Sequence, residues 1–77
     1  TPPAWARSTF TAAARFANQR AFPEARQLLI ELLERQPDHT DSMYLLASVV
    51  AQEGDLDLGE QLLRQALAIA PGKALYW

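Results

Sequence analysis

Few side chains in this sequence could do chemistry, and their spacing is poor for it. The single histidine, His39, follows Pro37 and Asp38 in a segment that reads as a turn, where it is expected to be solvated or to cap a helix. Ser42 and Ser48 read as lacking a histidine base nearby, and a serine without one is a poor nucleophile. Asp55 and Asp57 stand two apart where a helix starts, a place in which carboxylates serve the backbone rather than proton transfer. A metal centre needs three or four converging ligands, and this chain has no cysteine and only scattered carboxylates. No glycine-rich loop is present to cradle a phosphate. These residues predict a chain that is not an enzyme and that holds no metal and no cofactor.

Composition leaves a binding role open and narrows the partner. The 77 residues suffice for one small domain, near the lower size limit for folding alone. A net charge of −2 gives the whole chain no electrostatic footprint for nucleic acid. No apolar run approaches the roughly 20 residues of a membrane span. Thr1-Pro2-Pro3-Ala4-Trp5 lacks the basic and apolar regions of a signal peptide. A cysteine-free chain suits reducing and oxidising surroundings, so the compartment stays open between the cytoplasm, slightly favoured, and the periplasm. Charge is unevenly spread: five arginines against three glutamates give residues 1–37 a balance of +2, and two basic against six acidic residues give 38–77 a balance of −4. Such a chain could meet a second molecule positive end to negative end.

The elements that must position these side chains come in two copies. Pro37 and Pro71 lie 34 residues apart, and Gln27-Leu28-Leu29 and Gln61-Leu62-Leu63 share that offset. So do Ser8 with Ser42, Ala13 with Ala47, Ala17 with Ala51 and Leu33 with Leu67; Phe10 with Tyr44 and Phe22 with Leu56 are conservative matches. The units are residues 6–39 and 40–73, with Ala74-Leu75-Tyr76-Trp77 opening a third.

Each unit reads as two helices. Thr9, Ala12, Ala13 and Phe16 in the first unit, and Met43, Leu46, Ala47 and Val50 in the second, follow the i, i+3, i+4, i+7 spacing of one helical stripe. The second helices carry Ala25, Leu28, Leu29, Leu32 and Leu33, then Gly59, Leu62, Leu63, Ala66 and Leu67. Small residues at Ala13, Ala25, Ala47 and Gly59 allow paired helices to approach closely. Gly54-Asp55 predicts a turn with Asp55 as N-cap, and Asp38 is expected to cap the helix that carries Met43. Pro37 and Pro71 end helices, and Pro23 fits the first turn of one. Glu31 with Arg35 and Glu60 with Arg64 are i,i+4 pairs in the favoured order.

With these residues in place, the sequence resembles the tetratricopeptide repeat, whose unit is a 34-residue helix–turn–helix with sparse aromatic, small and proline positions. The match runs through Thr9, Ala12, Ala13, Phe16, Ala25, Leu29, Leu32 and Pro37, then Met43, Leu46, Ala47, Val50, Gly54-Asp55, Gly59, Leu63, Ala66 and Pro71, and Trp77 falls where the family often places tryptophan. Departures are Thr9 at a bulky position, Gly59 where alanine is usual and Arg20 where glycine is usual. The resemblance implies an all-α fold, an α-solenoid of about two repeats plus the start of a third, as a fragment of a longer repeat protein. It also implies a concave groove that holds an extended peptide or a partner's helix. Carried onto this chain, the groove residues are Arg7, Phe10, Thr11, Ala14 and Asn18 from the first unit, and Asp41, Tyr44, Leu45, Ser48 and Gln52 from the second. Some family members hold chaperone tails with a clamp of lysines and asparagines; Phe10, Ala14 and Ser48 stand at the comparable places here, so no clamp is expected.

The expected function is therefore a protein-interaction scaffold with a protein or peptide partner, without nucleic acid and without membrane insertion. The alternative is a regulatory or structural appendage of an enzyme whose catalytic domain lies outside these residues. A repeat array needs a polar cap at its ends, and none follows the second unit. Leu63, Leu67 and Ile69, with Tyr76 and Trp77 beside them, are expected to be partly open and to support self-association through the C-terminal end.

Overall fold

The computed structural model describes residues 4–70 and contains four helices: α1 (Ala4–Asn18), α2 (Phe22–Arg35), α3 (Thr40–Gln52) and α4 (Leu56–Ile69). They form two hairpins, α1–α2 and α3–α4, and α1 starts two residues ahead of the first sequence unit. Each helix packs on the next in chain order, and α1 also touches α3. The third unit and Pro71, with the expected contacts of Tyr76 and Trp77, lie outside the described residues.

Every small residue expected at a helix crossing is buried: Ala13, Ala25, Ala47 and Gly59. The tightest crossing is α3 on α4. A Cβ built on Gly59 would lie 3.2 Å from the Ala47 carbonyl oxygen and 3.5 Å from the Ala51 Cβ. Around these contacts Leu29, Leu46, Val49, Val50 and Leu62 form one core that draws on α2, α3 and α4, with Phe10, Phe16, Phe22 and Leu28 packed against it. A smaller cluster of Met43, Tyr44 and Ala66 continues it toward Leu33 and Leu63. The buried side of α1 is Ala6 and Ala13, while Thr9, Ala12 and Phe16 are only half-buried. Helix α3 is buried on most of its circumference, because α2 and α4 cover it from two sides and α1 from a third.

The two hairpin turns share one hydrogen-bond pattern. Ala21 N–H donates to the Phe16 carbonyl at 2.8 Å and Arg20 N–H to Ala17 at 3.0 Å; Asp55 N–H donates to Val50 at 2.8 Å and Gly54 N–H to Ala51 at 3.0 Å. This is the Schellman arrangement, which needs a left-handed residue after the helix. Arg20, at φ 61°, and Gly54, at φ 101°, supply it 34 residues apart.

Helix starts differ from expectation at one place. Asp55 caps α4, accepting from Leu58 N–H at 3.1 Å. Asp38, however, does not cap α3. It lies in the turn with Pro37, which is closed by His39 N–H donating to the Gln36 carbonyl at 3.1 Å, one residue too early to reach the helix. His39 takes the cap, its Nδ1 accepting from Ser42 N–H at 3.2 Å. Of the two expected i,i+4 pairs, Arg64 donates to Glu60 at 2.7 Å. Glu31 instead accepts from Gln27 at 3.3 Å, and the Arg35 guanidinium stacks over the Trp5 ring, 5.1 Å from its centroid. The face of an indole competes well with an exposed carboxylate for arginine.

Candidate functional site

Helices α1 and α3 are the first helices of their units, and they carry the ten residues that the repeat register assigns to a groove. The structure distributes them unevenly. Arg7, Thr11, Asn18, Asp41 and Gln52 are exposed, whereas Phe10, Ala14, Leu45 and Ser48 are half-buried. Tyr44 is only 8% exposed and packs with Met43 and Ala66. Its ring therefore contributes to the fold, because α3 is enclosed where α1 is open. Phe10 packs against the main core and tilts over the His39 ring, with centroids 5.8 Å apart. That contact joins α1 to the cap of α3 and so fixes the first helix of one unit against the first helix of the next.

The structure brings some of these residues together. Gln52 Nε2 donates to the Ser48 carbonyl at 3.3 Å and to its Oγ at 3.2 Å, a turn apart on α3. Arg7 and Thr11 line an open depression on α1 with Ser8, Ala12, Arg15, Phe16 and Gln19. Asn18 and Gln52 end α1 and α3 at positions 34 residues apart, so each unit presents one exposed carboxamide at the same place.

Two contacts escaped sequence reading. Arg26 Nη1 donates to both carboxylate oxygens of Glu53, at 2.6 and 2.5 Å, and ties α2 to the C-cap of α3 across 27 residues of chain. Each residue looks like ordinary surface charge, and only the superposition of the units brings them together. The second contact corrects the reading of Ser42. Its Oγ lies 2.7 Å from His39 Nδ1, so this serine does have a histidine beside it. The N-cap position and the third helical residue face each other across the first turn, which creates the contact. It is a capping contact. Nδ1 also accepts the backbone N–H, which places the imidazole proton on Nε2. Ser42 is fully buried, out of reach of any substrate, and a nucleophile must be reachable.

Among the described residues no three His, Cys, Asp or Glu side chains gather as metal ligands. No helix among them is long and apolar enough to cross a membrane.

No curated protein and no solved structure gives a match to the chain. A family model for the tetratricopeptide repeat matches residues 10–74, most of the sequence and both hairpins. That match, the 34-residue offset and the paired Schellman turns have one explanation, and the chain belongs to the tetratricopeptide-repeat family.

Proposed function

We propose that this chain is a scaffold that holds a peptide or helix of a partner protein along α1 and α3. Tetratricopeptide repeats generally mediate protein–protein interaction and generally do so without catalysis. The observation that carries the finer reading is the repetition of an exposed carboxamide, Asn18 and Gln52, at the same place in both units. A carboxamide both donates and accepts, so two in register suit the backbone of an extended segment. The small residues Ala14 and Ser48 beside them leave room for that segment to approach. Tyr44 enters the proposal only as support for the surface, and Phe10 as a half-buried aromatic edge at its border.

Peptides selected from a displayed library against the chain test this reading. Asn18→Ala and Gln52→Ala should each weaken a selected peptide severalfold, while Gln61→Ala on α4 should not. Binding that ignores both carboxamides and responds to α4 would refute the assignment. The appendage reading, with a catalytic domain outside these residues, predicts the same surface and differs only in what the partner is attached to. Self-association through the open α4 end is a further part of the proposal, supported by the exposure of Leu67 at 36% and Ile69 at 50%.

A further inference from the structure

The junction between the two repeats lies wholly inside the described residues, and α3 is held there at both ends. At its N-cap, His39 meets the Phe10 ring of α1, with centroids 5.8 Å apart. At its C-cap, Glu53 accepts from the Arg26 guanidinium of α2 on both carboxylate oxygens, at 2.6 and 2.5 Å. Between these two points α1 touches α3 far less than α2 does, so the first repeat holds α3 mainly through α2.

Glu53 is a poor residue for its place unless something compensates. The C-terminus of a helix carries partial negative charge, which repels a carboxylate and favours a cation. Helix α3 has no basic residue in its last turn. Arg26 supplies the cation from the neighbouring repeat, in a two-pronged geometry that fixes orientation as well as distance. The pair is only partly open to water, with side chains 41% and 22% exposed. The repeat register does not require it. The 34-residue counterparts of Arg26 and Glu53 are Glu60 and Gln19, which cannot form the same ion pair. Glu60 instead pairs with Arg64 inside α4, a contact that joins no two helices.

The place of the Arg26–Glu53 contact matters because Gln52 directly precedes Glu53, and Asn18 ends α1 at the equivalent point of the first repeat. Helix α3 has 13 residues and is therefore about 20 Å long. A tilt of about 10° about its His39 end would carry Gln52 by about 3 Å, close to the rise of one residue in an extended chain. The spacing of the two carboxamides thus depends, to within one residue of a bound segment, on what holds the C-terminal end of α3.

We infer that Arg26 and Glu53 form a positioning clasp, which fixes the angle between the two hairpins and with it the spacing of Asn18 and Gln52 for a bound segment. The second half of this inference rests on the reading of α1 and α3 as the binding surface; the first half does not. Both residues act through the backbone of α3 rather than by touching the segment.

Residual dipolar couplings from the weakly aligned, isotope-labelled chain test it, because a rigid body has one alignment tensor. In the unmodified chain one tensor should fit both hairpins in the orientation of the structure. Arg26→Gln and Glu53→Gln should each break that common fit, and exchange of the two charges, Arg26→Glu with Glu53→Arg, should restore it. A peptide selected against the unmodified chain should bind each single variant severalfold more weakly and regain affinity for the exchanged pair. Glu60→Gln removes a carboxylate charge away from the junction and should change neither readout. Circular dichroism reports whether each variant is folded. Single variants that keep the common fit, or an equal effect of Glu60→Gln, would overturn the clasp. Loss of the fold in either single variant would overturn it as well, since the pair would then hold the fold together rather than set an angle. If the common fit breaks but peptides ignore Asn18 and Gln52, the clasp stands and the binding reading falls. If the fit survives while Asn18→Ala and Gln52→Ala weaken the peptide, the binding reading stands and the clasp falls.

Discussion

In the first repeat the chain leaves α1 through Gln19, Arg20 and Ala21; in the second it leaves α3 through Glu53, Gly54 and Asp55. The backbone hydrogen bonds of the two turns agree to the tenth of an ångström in their two defining contacts. The residues do not agree. Gly54 enters the left-handed region without a Cβ to clash, and Asp55 then caps α4. Arg20 enters the same region with a side chain, and Ala21 offers α2 no side-chain cap. The first turn thus gives up about 1–2 kcal/mol of backbone preference and about 1 kcal/mol of capping. It forms nonetheless, and Ala13, Ala25 and Leu29 are fully buried in the packing that results. In the second repeat local preference and packing agree; in the first, packing prevails over local preference.

The largest effect that can break this comparison lies in the core. Leu29→Ala removes a fully buried side chain, and it should cost about 2–5 kcal/mol in a urea melt. Leu63→Ala, its counterpart on the open end, should cost roughly half as much, since its surroundings are already partly water. Equal losses at the two sites would mean that Leu63 is as enclosed as Leu29 in solution.

Next in size is the crossing of α3 and α4. Ala25 shows that the first hairpin accepts a Cβ at the position where the second has Gly59. Gly59→Ala gains up to about 1 kcal/mol of helix propensity, but its Cβ would meet a backbone carbonyl at 3.2 Å, which can yield only if the helix moves. Overpacking of this kind costs about 1–3 kcal/mol, so a net loss of about 1 kcal/mol is expected. A variant more stable than the parent would show that the second crossing is slack.

Adding the missing cap works in the opposite direction. Ala21→Asp copies Asp55 into the first repeat and should raise stability by about 1 kcal/mol. The diagnostic is in the pair: Asp55→Ala should lose a similar amount. If Ala21→Asp changes nothing while Asp55→Ala destabilises, then Pro23 has already set the first turn of α2 and leaves the aspartate nothing to add.

The contrast also marks what could be read before any coordinates. Both hairpins, the small residues at the crossings and the Asp55 cap follow from periodicity and turn chemistry, which are local properties. Leu67 and Ile69 are exposed, as expected from the sequence. What stayed hidden depends on how the units stack. Tyr44 sits on the side of α3 opposite its expected core stripe, yet the central helix is enclosed on so many sides that the ring is buried. Arg26 and Glu53 meet only when α2 and α3 are superposed. The His39–Ser42 contact is legible in principle, since a residue just before a helix habitually meets the one three places on, but Asp38 is the better N-cap by residue type and masks it.

The smallest expected effect is the most informative about Arg20. Arg20→Gly should relieve about 1–2 kcal/mol of left-handed backbone cost. Against that stand about 0.4–1 kcal/mol from the freer unfolded chain and about 0.5–1 kcal/mol of cation–π attraction, because the Arg20 guanidinium lies 5.6 Å from the centroid of the Phe22 ring. The terms nearly cancel, and the melting curve should move by less than about half a kcal/mol. The balance can be exposed by repeating the substitution in a Phe22→Leu background, where the ring contact is gone and glycine should stabilise clearly. Gly54→Ala supplies the control from the other repeat: open space surrounds its Cβ position, so any loss there measures backbone strain without a packing term. If Arg20→Gly stabilises equally with and without Phe22, the arginine has no role in holding the turn, and the first hairpin is merely a tetratricopeptide turn with the wrong residue in it.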